Sequence, residues 1–180
     1  MAVIQGISHS KILEFENKLK IAQSKESLFI EIVNTIRSIL PCNQAFLFEE
    51  SRIFSLIAIS DVVDFDKNAS TATSIEEIAS QFIRKNINNF NMTMVTRRIA
   101  LDKDVSFFDN FFWIKIKPIH LKKNFYLVLN REAKFSNTEI ESLQLVASSL
   151  SYYLGYFYQR TPLRSFIAKT SSKLKLLILG

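Results

Sequence analysis

The sequence has few of the residues that build disulfide frameworks, metal clusters and tight turns. Its 180 residues include one cysteine, Cys42, with two histidines, three glycines and three prolines. A single cysteine excludes an intramolecular disulfide and any metal cluster built on cysteine ligands. Scarce glycine and proline disfavour a many-stranded sandwich or barrel, because such folds need frequent tight turns. The length suits one domain better than two.

Motifs for phosphate binding and hydrolysis are also missing. Neither G-x-G-x-x-G nor G-x-x-x-x-G-K-[ST] occurs, and there is no G-x-S-x-G. His9 and His120 have no partner at ligand spacing, so we expect neither to bind a metal or act as a general base. No basic residue adjoins Cys42 to lower its thiol pKa, and we interpret it as a small buried hydrophobe. We expect no catalytic residue, metal or cofactor.

Positive charge is concentrated in the last twenty-odd residues. Five of the 23 basic residues lie there without any acidic residue: Arg160, Arg164, Lys169, Lys173 and Lys175. The other 18 nearly balance the 17 acidic residues, so the body of the chain is close to neutral. This distribution favours a partner such as an anionic membrane surface over a nucleic-acid groove. No secretory signal pattern opens the sequence, and we expect a cytosolic location.

Apolar residues make up 48% of the chain and include 16 phenylalanines, which is enough for a hydrophobic core. Their spacing predicts helices and strands in a recognisable order. We expect helices over 10–22, from an N-cap at Ser24 to Leu40, from a capping box at Ser74 to about 86, and from a capping box at Ser136 to a break at Pro162. We expect strands over 44–49, 52–60, 92–99, 112–117 and 125–130, with 61–73 as a surface loop. This order predicts an α+β fold in which helices pack on a central antiparallel sheet.

Aromatic residues cluster before and within one predicted strand. Phe107, Phe108, Phe111 and Trp113 are candidates to line a small-molecule pocket, or they complete the core. Asp61 and Asp64 lie in the predicted loop, which either closes over such a ligand or is simply solvated.

Tyrosines crowd the last predicted helix. We expect Tyr153 and Tyr156, with Phe15 and Leu19 of the first helix, to form the interface of a homodimer or higher homo-oligomer.

Two segments carry a resemblance to a known family. Residues 135–143 (FSNTEIESL) resemble the opening of the last helix of GAF domains, F-(S/T)-x-x-(D/E)-x-x-x-L, and the order of elements is similar over about residues 20–158. Residues 32–45 (IVNTIRSILPCNQA) resemble the N-x-x-R-x-L-L-P-Y-x-Q-A segment of a narrower group. That group comprises the GAF-like domains that precede the membrane span of bacterial membrane-fusion adaptors for efflux and type I secretion. Residues 59–66 (ISDVVDFD) resemble its S-G-x-x-x-V-D loop, with Asp61 in place of the glycine.

The resemblance implies three segments and a regulatory role. They are an N-terminal helix over 1–23, a GAF-like domain over 24–158 and a basic tail over 159–180 that leads into a membrane span. The implied protein is a non-catalytic sensory or regulatory domain on the cytoplasmic side of a bacterial inner membrane. The alternative is a soluble, small-molecule-binding signalling domain whose output domain is missing.

Overall fold

The computed structural model describes the backbone of residues 9–52, 54–67, 69–86, 92–96 and 110–178, and the side chains of 10–52, 54–67, 69–85 and 110–159. Four helices and five strands are assigned within these ranges. The helices are α1 (His9–Ile21), α2 (Lys25–Ile39), α3 (Ser70–Asn86) and α4 (Asn137–Ile178). The strands are β1 (Gln44–Glu50), β2 (Phe54–Ile59), β3 (Met92–Thr96), β4 (Asn110–Ile116) and β5 (Asn124–Arg131).

The strands form one sheet in the order β2-β1-β5-β4-β3, and every neighbouring pair is antiparallel. β5 lies at the centre, with Phe48 of β1 opposite Tyr126 and Trp113 of β4 opposite Val128. A bulge opposite Leu47 and Phe48 inserts one extra residue into β2, so that Leu56 and Ala58 belong to opposite faces of the sheet. The α+β fold with a central antiparallel sheet is therefore as predicted.

Two helix starts follow the sequence signals closely. Ser24 caps α2 by accepting a hydrogen bond from the Ser27 amide, and the Ser27 hydroxyl accepts one from the Ser24 amide in return. At the start of α4 the Ser136 amide donates to Glu139 Oε2 at 2.7 Å, and the Glu139 amide donates to Ser136 Oγ at 3.4 Å. This reciprocal pair is the predicted capping box.

Two predicted helix boundaries are wrong. Helix α3 begins at Ser70, ahead of the predicted start at Ser74, because Ala72 and Ile75 are buried and extend its apolar side by a turn. Helix α4 continues through Pro162 to Ile178. A proline inside a helix removes one backbone hydrogen bond and strains the preceding turn, but it does not end this one.

One face of the sheet carries the larger part of the core. Its inward side chains, among them Leu47, Phe112, Ile114 and Leu127, pack against α2 and α4, and α1 packs on those two helices. Phe15 and Leu19 of α1 have no exposed surface in this cluster. They are core residues of this chain, which corrects the prediction that they lie in an interface between copies.

The other face is covered by α3. Side chains from β1, β4 and β5 meet Ala72, Ile75, Ala79 and Ile83 of that helix. Within the described residues, no helix has both the length and the hydropathy of a membrane span.

Candidate functional site

The α3 face of the sheet encloses a narrow apolar cavity of about 30 Å³. Its lining consists of aromatic side chains from the sheet and small or aliphatic ones from α3 and β5: Phe46, Phe48, Phe111, Trp113, Ile75, Ile78, Ala79 and Val128. Alternation along each strand brings these rings to one face, since residues two apart share a side of the sheet. The described lining has no charged group, so the cavity suits an apolar group.

A row of aromatic rings runs along this cavity. Phe54 and Phe48 stack with ring centroids 5.1 Å apart, and Phe48 lies 6.2 Å from Trp113. The ring of Phe82, which comes from α3, stacks on Trp113 at 4.4 Å. Trp113 is the only tryptophan in the chain, so its fluorescence reports directly on this site.

A polar contact lies at the end of the ring row. Tyr126 is completely buried, its ring lies 5.7 Å from that of Phe54, and its hydroxyl donates to Glu50 Oε2 at 2.8 Å. Asn124 Nδ2 donates to the same carboxylate oxygen at 2.7 Å. Burial, and then the bond to Glu50, raise the pKa of Tyr126 well above its ordinary value. The phenol therefore stays protonated and keeps donating at neutral pH.

The structure separates the residues that the sequence placed in one ligand pocket. Phe111 and Trp113 line the cavity, while Phe107 and Phe108 lie outside the described residues. Asp61 forms an ion pair with Arg37 of α2, and its amide donates to Asn34 Oδ1 at 2.8 Å. Its φ of 63° is the left-handed conformation that aspartate tolerates and that glycine adopts freely.

Asp64 lies in a separate groove of about 210 Å³. Phe29 and Ile30 of α2 form one side of this groove and Ile57 of β2 another. Neither Asp61 nor Asp64 lines the aromatic cavity. Any role of the two aspartates would therefore be exercised on the α2 side of the molecule.

Cys42 follows α2 and is half-buried. Burial raises the pKa of its thiol to about 11 and outweighs the lowering effect of the charges of Arg37 and Arg131. The thiol is therefore protonated at neutral pH and is a poor nucleophile. Among the side chains described, no three His, Cys, Asp or Glu residues are grouped so that they could hold a metal ion.

The structure describes only part of the predicted interface and tail. Tyr153 is 8% exposed and packs in the helical core, whereas Tyr156 is 45% exposed on the outer side of α4. Tyr152 is also exposed, and its ring is stacked on that of Tyr156 with centroids 6.4 Å apart. The side chains of Arg160, Arg164, Lys169, Lys173 and Lys175 lie outside the described residues, although the backbone there is helical.

A polar cluster at the other side of β1 was not predicted. Glu49 forms an ion pair with Lys123 and accepts a hydrogen bond from the Tyr158 hydroxyl at 2.5 Å. These residues are far apart in sequence, and only the sheet register brings β1 next to the start of β5. The one local signal is the pair of adjacent glutamates at the end of an apolar strand.

No family model matches the sequence, and no curated protein matches it. Several solved structures are similar to it in fold. The GAF domain of a phosphoenolpyruvate-protein phosphotransferase from Coxiella burnetii has a TM-score of 0.60 and 11% identity, covering 85% of this chain and 95% of that one. A phycocyanobilin-bound GAF domain from a cyanobacterial phytochrome has a TM-score of 0.56 and 12% identity, covering 83% and 94%.

A bacteriophytochrome from the photosynthetic bacterium R. palustris has a TM-score of 0.64 and 12% identity, covering 93% of this chain and 41% of its own. Identities this low establish the fold and nothing about ligand or activity. The sheet order, the helices on its two faces and these similarities together show that the chain has a GAF-like α+β fold.

Proposed function

We propose that this chain is a non-catalytic sensory domain that binds a small apolar or aromatic ligand between the sheet and α3. The observation that carries the proposal is the apolar, ring-lined cavity beneath a single helix. Small-molecule sites are typically concave and mostly apolar, and this cavity has both properties. One of the similar solved structures is a GAF domain with bound phycocyanobilin, which supports a ligand-binding role for this fold.

The cavity is small in this structure. Its volume of about 30 Å³ gives room for about one water-sized group. A ligand the size of benzene therefore enters only if α3 or the ring of Phe82 moves. Ala72 and Ala79 are small residues of the α3 face, while Ile75, Phe82 and Ile83 of the same helix are the larger side chains that a shift of α3 would displace.

The absence of chemistry is also part of the proposal. The protonated thiol of Cys42 lacks the activated state that nucleophilic catalysis needs. Arg131, the second cation near it after Arg37, is held by a two-point contact with Glu139 at 2.8 and 2.7 Å. Both groups are explained by structural roles.

Quenching of Trp113 fluorescence by iodobenzene tests the ligand site. We expect saturable quenching of the folded protein, and little quenching by the polar molecule acrylamide because Trp113 is buried. Phe82→Ala should tighten iodobenzene binding by enlarging the cavity, whereas Ala79→Val should weaken it by filling the cavity. Quenching that is linear and equal in all three proteins would refute the site.

A second proposal concerns location: the chain acts at the cytoplasmic side of a membrane, as the adaptor resemblance implies. It is favoured by five cations in a tail with no acidic residue, followed by apolar residues, on a helix that continues to Ile178. Each basic residue near an anionic surface contributes roughly 1 kcal/mol, and salt screens that contribution.

Co-sedimentation with vesicles of phosphatidylglycerol and phosphatidylcholine tests the membrane proposal. The chain should bind at low salt and dissociate near physiological ionic strength. The matched control replaces Arg160, Arg164, Lys169, Lys173 and Lys175 with glutamine in the same full chain. Equal binding by both proteins would contradict it.

We further propose self-association through the outer side of α4. Leu145, Tyr152 and Tyr156 are exposed there at spacings of seven and four residues, which is the spacing of a helix–helix seam. Sedimentation of the chain over a range of concentrations should show a dimer that Tyr152→Glu/Tyr156→Glu abolishes. A dimer unaffected by both charges would place the interface elsewhere.

A further inference from the structure

The end of β1 carries two adjacent glutamates, whose side chains lie on opposite faces of the sheet. Glu50 accepts hydrogen bonds from Tyr126 and Asn124 on the α3 face, next to the aromatic cavity. Glu49 accepts a hydrogen bond from Tyr158 and forms an ion pair with Lys123 on the face that holds α4. One short stretch of backbone therefore joins the cavity side to the long helix.

Tyr158 lies where several elements meet. Its ring packs edge-on against Phe125 of β5 at 5.6 Å and lies 6.4 Å from Phe29 of α2. The ammonium groups of Lys25 and Lys123 lie 4.1 and 4.5 Å from the ring centroid, which places two cations over one aromatic ring. We call Glu49, Lys123 and Tyr158 the Tyr158 latch.

The latch is stable at neutral pH. Burial, and then the bond to Glu49, raise the pKa of Tyr158 far above its ordinary value. The phenol keeps its proton, so the bond to the Glu49 carboxylate persists as a charge-assisted hydrogen bond. Only a displacement of β1, of α4 or of the β4–β5 turn would break it.

A second contact joins α4 to the same end of the sheet. In the turn between β4 and β5, the Lys117 carbonyl accepts from Ser151 Oγ at 2.5 Å, and the Ile119 amide donates to the Ser151 carbonyl at 3.4 Å. Strand β4 carries Trp113, which lines the cavity. The hairpin that forms part of the cavity wall is thus also bound to α4.

We propose that the Tyr158 latch couples the aromatic cavity to α4, so that a ligand entering the cavity changes how firmly α4 is held. This inference rests on the proposed ligand site. A ligand that displaces Phe48 also displaces Phe54, which stacks on it, and Phe54 contacts Tyr126, which is bonded to Glu50. Glu50 and Glu49 are joined by one peptide bond, so a displacement of the backbone at Glu50 also moves Glu49.

Hydrogen exchange of the α4 amides, measured with and without iodobenzene, tests the coupling. In the unmodified chain we expect iodobenzene to quench Trp113 and to speed exchange around Tyr158 by about fivefold, the lower end of typical coupling between sites. In Tyr158→Phe the ring and both lysine contacts remain but the bond to Glu49 is lost. Quenching should persist there, while exchange around residue 158 becomes fast and insensitive to iodobenzene.

Gln144→Ala is the matched control, since Gln144 is an exposed residue of the same helix outside both the latch and the proposed seam. It should behave like the unmodified chain. By linkage, iodobenzene should also bind Tyr158→Phe more tightly, because the ligand no longer has to open the latch. Glu49→Gln, which removes the charge but keeps an acceptor, should give an intermediate result.

The outcomes separate the two proposals. Quenching without any change in α4 exchange overturns the coupling and leaves the ligand site standing. An α4 response in Tyr158→Phe equal to that of the unmodified chain overturns the role of the latch. Absence of saturable quenching in every protein refutes the ligand site, and the coupling with it.

Discussion

The two faces of the sheet are built differently. On one face α1, α2 and α4 pack over a continuous cluster in which most side chains have no exposed surface. On the other face, among the described residues, α3 covers a smaller, ring-rich cluster against which Phe65 of the loop after β2 also packs, and this cluster leaves a cavity. Strands β1, β4 and β5 supply both clusters, so alternate residues of one strand experience very different packing.

This difference shows where the fold can change shape at low cost. Close-packed cores resist displacement because every shift opens voids. A single helix bearing alanines on its inner side can shift with less loss. Ligand binding is therefore expected on the α3 face. The face covered by α1, α2 and α4, called the helical face below, should act as a stable frame.

The largest expected effect is a loss of folding stability from a substitution on the helical face. Ile36 of α2 and Ile83 of α3 are both buried isoleucines on helices. Ile36→Ala should lower the free energy of unfolding by about 4 kcal/mol, and Ile83→Ala by about 2 kcal/mol, because α3 can shift inward to fill the space. Urea unfolding of both variants measures the difference. Equal losses would show that the two faces are packed alike.

Gly155→Ala tests how closely α4 approaches the β4–β5 turn. A Cβ atom at position 155 would lie 2.8 Å from the Ile119 carbonyl oxygen, which is backbone and moves only with the turn. We expect a net destabilisation of about 1–2 kcal/mol, even though alanine favours a helix by about 1 kcal/mol. Ser148→Ala, at an exposed site of α4, is the control. A stabilised Gly155→Ala protein would contradict this close contact.

The Arg131–Glu139 pair should make the helical face sensitive to acid. The hydrogen bond from Arg131 holds the pKa of Glu139 below its ordinary value. Because that pKa is lowered in the folded state, the pair stabilises above the unfolded-state pKa of about 4.5 and is lost as pH falls through the folded pKa. Glu139→Gln should cost about 1–2 kcal/mol at pH 7 and less at pH 3, where a larger fraction of the Glu139 carboxyl is protonated. Urea titrations at both pH values measure this, and a pH-independent difference would exclude the mechanism.

The smallest effect is expected at Cys42. Cys42→Ser should leave stability nearly unchanged, since the thiol is only half-buried beside the helical core. Its reaction with a thiol reagent should speed up steadily with pH until about pH 11, because only the thiolate reacts. A plateau near pH 8.5 would show that the thiol is not held in a desolvated site.

Local signals in the sequence were sufficient for most elements. The Ser24 and Ser136 caps are local hydrogen-bonding patterns, and both start helices as predicted. The alternation of Phe112, Ile114 and Ile116 with Lys115 and Lys117 is also visible in the sequence and suggests that the other face of β4 is partly polar. Trp113 is instead 5% exposed, because α3 covers that face of the sheet.

The sequence could not predict which residues far apart along the chain come into contact. The strand order places Glu49 beside Lys123, and the turn of α4 places Tyr158 against both, across more than seventy residues of sequence. The loop position of Asp61 predicts a role near a ligand, but its partners are Arg37 and Asn34 of α2. Helix α3 began early because tertiary burial of Ala72 outweighed a good local cap at Ser74.

Strand β2 is the outer strand of the sheet on the β1 side, and its Leu56 amide donates to Glu76 Oε1 of α3 at 2.6 Å. Outer strands can pair with strands of other molecules, and proteins commonly block them with charge or a covering element. Glu76 places a charge at this edge, and α3, which carries Glu76, is the covering element. The helix that is proposed to shift on ligand entry therefore also keeps this edge from templating aggregation, so substitutions that loosen α3 should lower solubility before they lower stability.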